Sequence, residues 1–139
     1  MAVRTASFSL NTQGNNDIKD ITGPVAEQLG ASGLKEGIVT VFVSGSTAGI
    51  TTVENESGLL QDLDDMLNRL VPRDMEYRHD RAWGESNGFS HLRAAHIGAS
   101  FSAPFSEGRL SLGTWQQIVL IDFDNRPRER KVIVKIIGE

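Results

Sequence analysis

Cysteine is absent from all 139 residues. That excludes a disulfide framework, a thiolate nucleophile and any zinc site built on sulfur, so a bound metal would need histidine and oxygen ligands. Histidine is itself scarce, with three in the chain. No apolar run approaches the roughly 20 residues that span a bilayer. The opening Met1-Ala2-Val3-Arg4-Thr5 lacks the apolar core of a secretory signal, so a cytoplasmic location without a membrane partner is expected. Positive charge is in deficit: 14 Lys and Arg against 18 Asp and Glu leave a net charge of −4, which opposes attraction to phosphate backbones and argues against a nucleic-acid partner. The one basic cluster, Arg126, Arg128, Arg130 and Lys131, is interleaved with Asp124 and Glu129 and reads as a solvated hairpin turn rather than an anion site. Repeats, low-complexity tracts and linkers are also missing, and the length suits a single domain over residues 1–139 with a core that needs no crosslinks.

What is present is a readable alternation of elements. Val3 to Leu10 alternates like a strand and stops at the polar run Asn11 to Asn16. From Asp17, the spacing of Ile18, Ile21, Val25 and Leu29 predicts an amphipathic helix, which Gly23-Pro24 should kink or divide. Gly37 to Val43 is nearly all β-branched or aromatic, as expected of a strand buried on both faces, and Ile50 to Glu54 reads as another. Ser57 to Leu70 is the clearest helix, its stripe of Leu59, Leu60, Leu63, Met66, Leu67 and Leu70 standing opposite Asp62, Asp65 and Arg69. Residues 72 to 90 form a long aperiodic stretch whose aromatics, Tyr77, Trp83 and Phe89, favour a packed functional loop over disorder. The small residues from His91 to Phe101 suggest a strand, followed by closing strands Leu110 to Phe123 and Lys131 to Ile137. The sum is an α+β domain, mostly antiparallel sheet or sandwich, packed with two main helices.

The residues able to carry chemistry concentrate in three places. His79 and His91 stand twelve residues apart across the aromatic stretch, and neutral imidazole serves either as a metal ligand or as a proton exchanger near neutral pH; either role requires that they converge in space, and structural histidines are the alternative. His96 is poorly placed to join them, since five residues from His91 matches neither a strand face nor a helix face. Glu56 suits an oxygen ligand, a general base or a helix N-terminal acid. The small-residue connection Ser44 to Gly49 offers backbone donors with the hydroxyls of Ser46 and Thr47, enough to cradle a phosphate or simply to make a tight turn. Arg78 and Arg93, each beside a histidine-bearing motif, suit a phosphate or exposed ion pairs. On a strand through Leu110 to Gln117, Trp115 and Gln116 face opposite ways, so Trp115 packs in the core while Gln116 reaches a site.

Three segments occur in order: Tyr77-Arg78-His79, Asn87-Gly88-Phe89-Ser90-His91-Leu92 and Gly108-Arg109-Leu110-Ser111-Leu112-Gly113-Thr114-Trp115-Gln116-Gln117. With these the chain resembles the YjbQ-like family, also called secondary thiamine-phosphate synthases. The resemblance implies a compact α+β fold, a homotrimer with a pocket near the subunit interface, and a transferase joining a phosphorylated thiazole to a pyrimidine diphosphate. It also implies a cluster of three histidines able to hold a divalent metal such as zinc. Two of them match His79 and His91. The third does not: where the family pattern reads Val-Pro-His-Thr-Thr-Ala-Gly, this chain reads Val43-Ser44-Gly45-Ser46-Thr47-Ala48-Gly49. Glycine there should enlarge the pocket and let a ligand approach the backbone. The implied site then comprises His79, His91 and Glu56 for catalysis, with Ser46, Thr47, Arg78, Asn87 and Gln116 against a small phosphorylated substrate. Two other readings stay open: a non-catalytic binder of a phosphorylated molecule, and a metal-dependent hydrolase or lyase built on the histidine pair.

Overall fold

Two antiparallel sheets and four helices stack as three layers in the computed structural model, which describes residues 1–139. The larger sheet has the order β1(Ala2–Thr12), β8(Arg128–Gly138), β3(Gly37–Val43), β5(Ser100–Ser106), β6(Arg109–Leu110). The smaller has the order β2(Asp17–Asp20), β7(Gln117–Asp122), β4(Ala48–Val53). The β-branched run expected of β3 is indeed a central strand, paired with β8 on one side and β5 on the other.

Strand alternation explains the layering. Ile118 and Leu120 of β7 join Val39, Val41 and Val43 of β3 and Val132, Val134 and Ile136 of β8 in a core between the sheets. Val119 and Ile121 point the other way, where with Phe123 they meet Leu67 of α2(Ser57–Leu70) and Ala94 of α4(Gly88–Ile97). The three-stranded sheet is therefore buried on both faces. By the same parity, Asp122 of β7 and Arg130 of β8 fall on the inward faces of their strands, and both are buried.

Several sequence expectations are corrected here. Residues 17–20 form β2 rather than the start of a helix: Gly14, Asn15 and Asn16 all adopt left-handed backbone, turning the chain so that Asp17 to Asp20 pair with β7. The helix, α1(Thr22–Ser32), begins later, which places Pro24 in its first turn. Its missing N–H would have no intrahelical acceptor there, so no kink is required. The stretch from His91 is α4, not a strand, and α3(Arg78–Trp83) lies within the expected loop, so two further helices join the two main ones expected. Phe89, Arg93 and Ile97 recur at steps of four and form the covered side of α4, but a charged residue in the middle of that stripe hides the pattern. The closing segment 110–123 is also broken, with residues 111–116 forming a connection between β6 and β7. No helix is long and apolar enough to cross a membrane.

Candidate functional site

Gly88 sets the geometry of the histidines. A Cβ at that position would lie 2.8 Å from Tyr77 Cβ and 3.0 Å from Asp80 Oδ1, so only glycine lets the start of α4 rest against α3. The Gly88 N–H then donates to Asp80 Oδ1 at 2.8 Å. This close approach brings His79, in the first turn of α3, and His91, on α4, to a ring-centroid distance of 4.5 Å with the planes tilted by 42°. The two imidazoles thus meet the convergence that either role requires. Burial, and then the neighbouring His79, hold the His91 imidazole below its ordinary pKa. His79 Nδ1 is buried without a hydrogen-bond partner, its nearest carboxylate oxygen, on Asp80, being 3.6 Å away.

Next to the pair lies a cavity of ≈ 330 Å³ lined by Gly45 and Ser46 of the β3–β4 connection and by His91, Ala94 and Ala95 of α4. Beneath that connection is a buried polar cluster. Arg130 Nε and Nη2 donate to the two oxygens of Asp122 at 2.6 and 2.9 Å, Thr12 Oγ1 donates to Asp122 Oδ2 at 2.5 Å, and Arg130 Nη2 reaches Thr47 Oγ1 at 2.7 Å. Thr47 Oγ1 and Arg128 Nε donate to Asp124 Oδ2 at 3.0 and 2.9 Å, and Asn87 Nδ2 contacts Asp124 Oδ1 at 3.4 Å. Burial pushes both carboxyls up. For Asp122 the hydrogen bonds from Arg130, Thr12 and the Asp124 N–H outweigh it, and for Asp124 those from Asn125, Arg128 and Thr47 do, so both lie below the usual carboxylate range.

The structure thus gathers His79, His91, Ser46, Thr47 and Asn87 around one region, and it corrects several expectations. The space a side chain at Gly45 would take is bordered by Arg130, whose Nη1 lies 2.8 Å from where a Cβ would fall. The basic cluster is no solvated turn at Arg130, which is 6% exposed and paired with Asp122. Asp122, Asp124 and Arg128 were missed as parts of a site; the strict alternation of Asp122, Arg128 and Arg130 with the inward apolar positions of β7 and β8 was the available signal.

Other residues stand apart. Glu56 accepts from the Gly58 and Leu59 N–H groups at 2.8 and 2.7 Å as the N-cap of α2, and these bonds lower its pKa. Gln116 bonds the Gly113 N–H and Thr52 Oγ1, beside the far end of β4 from Thr47, so it is not gathered with the histidines. Arg78 is exposed at the start of α3. Arg93 is fully buried, bonded to the Val71 carbonyl, Asn16 Oδ1 and Asn68 Oδ1, and serves packing rather than a phosphate. Trp115, expected in the core, is 72% exposed because it sits on the connection before β7. His96 is exposed at the end of α4.

A three-ligand metal shell does not assemble from this chain: no group of three or more His, Cys, Asp or Glu side chains is arranged to hold a metal ion. The histidine pair supplies two nitrogens, Glu56 does not join them, and Gly45 supplies nothing.

The matches to known proteins agree with this architecture. A UPF0047 protein from Methanothermobacter thermautotrophicus is 40% identical over 139 residues, covering 100% of this chain and 95% of its own. Another from Archaeoglobus fulgidus is 38% identical over 130 residues, covering 94% of this chain and 98% of its own. Among solved structures, a YbjQ-like protein of unknown function from Sulfolobus solfataricus superposes with a TM-score of 0.90 at 31% identity, covering 99% of this chain and 100% of its own. A hypothetical protein from Aeropyrum pernix gives 0.89 at 33% identity, covering 98% and 99%. The family described as UPF0047 protein YjbQ-like matches residues 6–139, and the chain belongs to it.

Proposed function

We propose that the cleft between the β3–β4 connection and α4 binds a small phosphorylated molecule and that the His79–His91 pair exchanges protons with it, in a transferase reaction of the thiamine-phosphate synthase type. The observation that carries this reading is the pair itself: two imidazoles 4.5 Å apart, one of them lining a cavity with Gly45 and Ser46. Joining a phosphorylated thiazole to a pyrimidine diphosphate releases pyrophosphate, so the step is helped by a group that donates a proton as negative charge develops on the leaving oxygen. Burial and His79 disfavour the charged form of His91 in the free protein. An anionic ligand alongside would favour the imidazolium and load the proton where the leaving group needs it. Ser46 lines the cavity, while Thr47 and Asn87 belong to the buried polar cluster around Asp124 beneath it.

No step is routed through a metal, because the donor set of one chain does not fit a zinc shell. For the same reason a metal-dependent hydrolase is the weaker reading. A binder without turnover shares the same cleft and differs only in the outcome of an assay. Assembly as a homotrimer is part of the proposal, supported by an apolar row across the outer face of the larger sheet. There Val3, Ile137, Ile38 and Pro104 are register partners on four adjacent strands, and Val3, Ile38 and Ile137 are each about half exposed.

The test is formation of thiamine phosphate from the two phosphorylated precursors by the purified chain. His79→Ala and His91→Ala should each lower turnover by about 10²-fold or more. Turnover that is unaffected by both changes overturns the proposed role of the pair, and binding of the precursors without turnover leaves the binder reading in its place.

A further inference from the structure

Arg130 carries a donor with nothing to donate to. Its Nε and Nη2 are fixed by Asp122 and Thr47 at 2.6 to 2.9 Å, while Nη1 makes no hydrogen bond within the chain. The side chain is more than nine-tenths buried, yet Nη1 sits against Gly45, a residue that lines the cavity. The backbone N–H groups of Gly45 and Ser46, both exposed, also have no acceptor in the chain. Three donors without acceptors therefore occur at adjoining residues, one of them on a guanidinium held in place by Asp122 and Thr47.

We infer that Arg130 Nη1, with the Gly45 and Ser46 N–H groups, forms an oxyanion subsite for a phosphoryl oxygen of the ligand, and that glycine at position 45 keeps it open. This rests on the proposed function above and names the group that holds its ligand. The charges around it support the assignment to a directed site rather than a diffuse basic patch: Arg128 and Arg130 are matched by the buried Asp122 and Asp124, so what remains is a donor direction and not an excess of charge. A planar guanidinium with two of its edges committed presents its remaining N–H groups along a fixed line, which suits a tetrahedral oxyanion better than a mobile ammonium does. Backbone N–H groups without acceptors, such as those of Gly45 and Ser46, are the further donors that such an oxyanion would take up. Any side chain at position 45 would begin 2.8 Å from Nη1 and either cover it or push the guanidinium aside. The backbone at Gly45 is not left-handed, so nothing about the local conformation requires glycine; the demand comes from Arg130.

The experiment uses inorganic pyrophosphate as the probe and the full chain. In the native protein the Arg130 guanidinium ¹⁵N–¹H resonances should shift saturably on titration, and Gly45→Ala, expected to fold because its backbone suits alanine, should weaken binding about tenfold or more. An Arg130 signal unmoved at saturation, or native-like affinity in Gly45→Ala, overturns the inference. If Gly45→Ala does not fold, the native titration decides alone. The two readings fail separately: pyrophosphate binding at Arg130 without thiamine phosphate formation sinks the reaction, whereas turnover with an unresponsive Arg130 sinks the subsite.

Discussion

Arg130 of β8 and Asp122 of β7 form a two-pronged ion pair across the gap between the two sheets, at 2.6 and 2.9 Å. Both side chains are buried, so neither charge can return to water when its partner is removed. Asp122→Ala should lower unfolding free energy by about 3–5 kcal/mol, the usual cost of stranding a buried charge. The Arg130→Met and Asp122→Leu double change should recover much of it. Denaturant titration of the three proteins checks this; a single change costing under about 1 kcal/mol would mean that the pair is solvated.

The same pair fixes the acid behaviour. Hydrogen bonds from Arg130, Thr12 and Asp124 hold Asp122 below its unfolded pKa, and those from Asn125, Arg128 and Thr47 hold Asp124 below its own. A depressed carboxyl binds fewer protons folded than unfolded, so its contribution is fully present above the unfolded value, roughly 3.9, and is lost as pH falls through the folded one. Stability should therefore hold through mildly acidic pH and drop below about pH 4. Thr12→Val, which removes one donor to Asp122, should move that drop to higher pH in melts run across a pH series.

Glu56 separates two roles with one substitution. As an N-cap its carboxylate satisfies the Gly58 and Leu59 N–H groups. Glu56→Ala should lower the melting temperature, while Glu56→Asp and Glu56→Ser, which keep an acceptor, should restore most of it. Thiamine phosphate turnover should be unchanged in all three when assayed well below their melting points. A turnover loss in Glu56→Ser, at restored stability, would give the residue the catalytic part that its position in the fold denies it.

Legibility in the sequence followed how many constraints acted on each segment. Ser57 to Leu70 was fully readable because its stripe, its cap Glu56 and the stop before Pro72 agree. Residues 17 to 20 were not, because a four-residue edge strand and the first turn of a helix share the same short apolar spacing, and the left-handed turn at 14–16 decides between them. In the site, two histidines could be paired from their motifs, but the burial of Arg130 could not. Its neighbours Arg126, Glu129 and Lys131 are exposed, and the alternation that turns position 130 inward shows only once the strand is known to begin at Arg128 rather than Lys131. Trp115 misled for a related reason: an indole suggests a core, and only the break between β6 and β7 places it outside.

The histidine pair makes a prediction of its own. His91 faces His79 and Asp80 from α3, Glu85 from the connection that follows, and Asp124 from the end of β7; burial and His79 lower its pKa, while the three acids act to raise it. Removing His79 removes a like charge but leaves the burial, so His79→Ala should raise the His91 pKa part of the way toward the ordinary value of about 6.5. Gly88→Ala should act through distance instead. Its Cβ would press on Tyr77 and Asp80, forcing α3 from α4 at a cost of about 1–3 kcal/mol, and the His91 value should rise as the rings separate and water enters. Following the His91 Cε1 proton by NMR against pH reads both. A His91 pKa identical in all three proteins would mean that the rings do not sense each other, and the proton-exchange role would go with it.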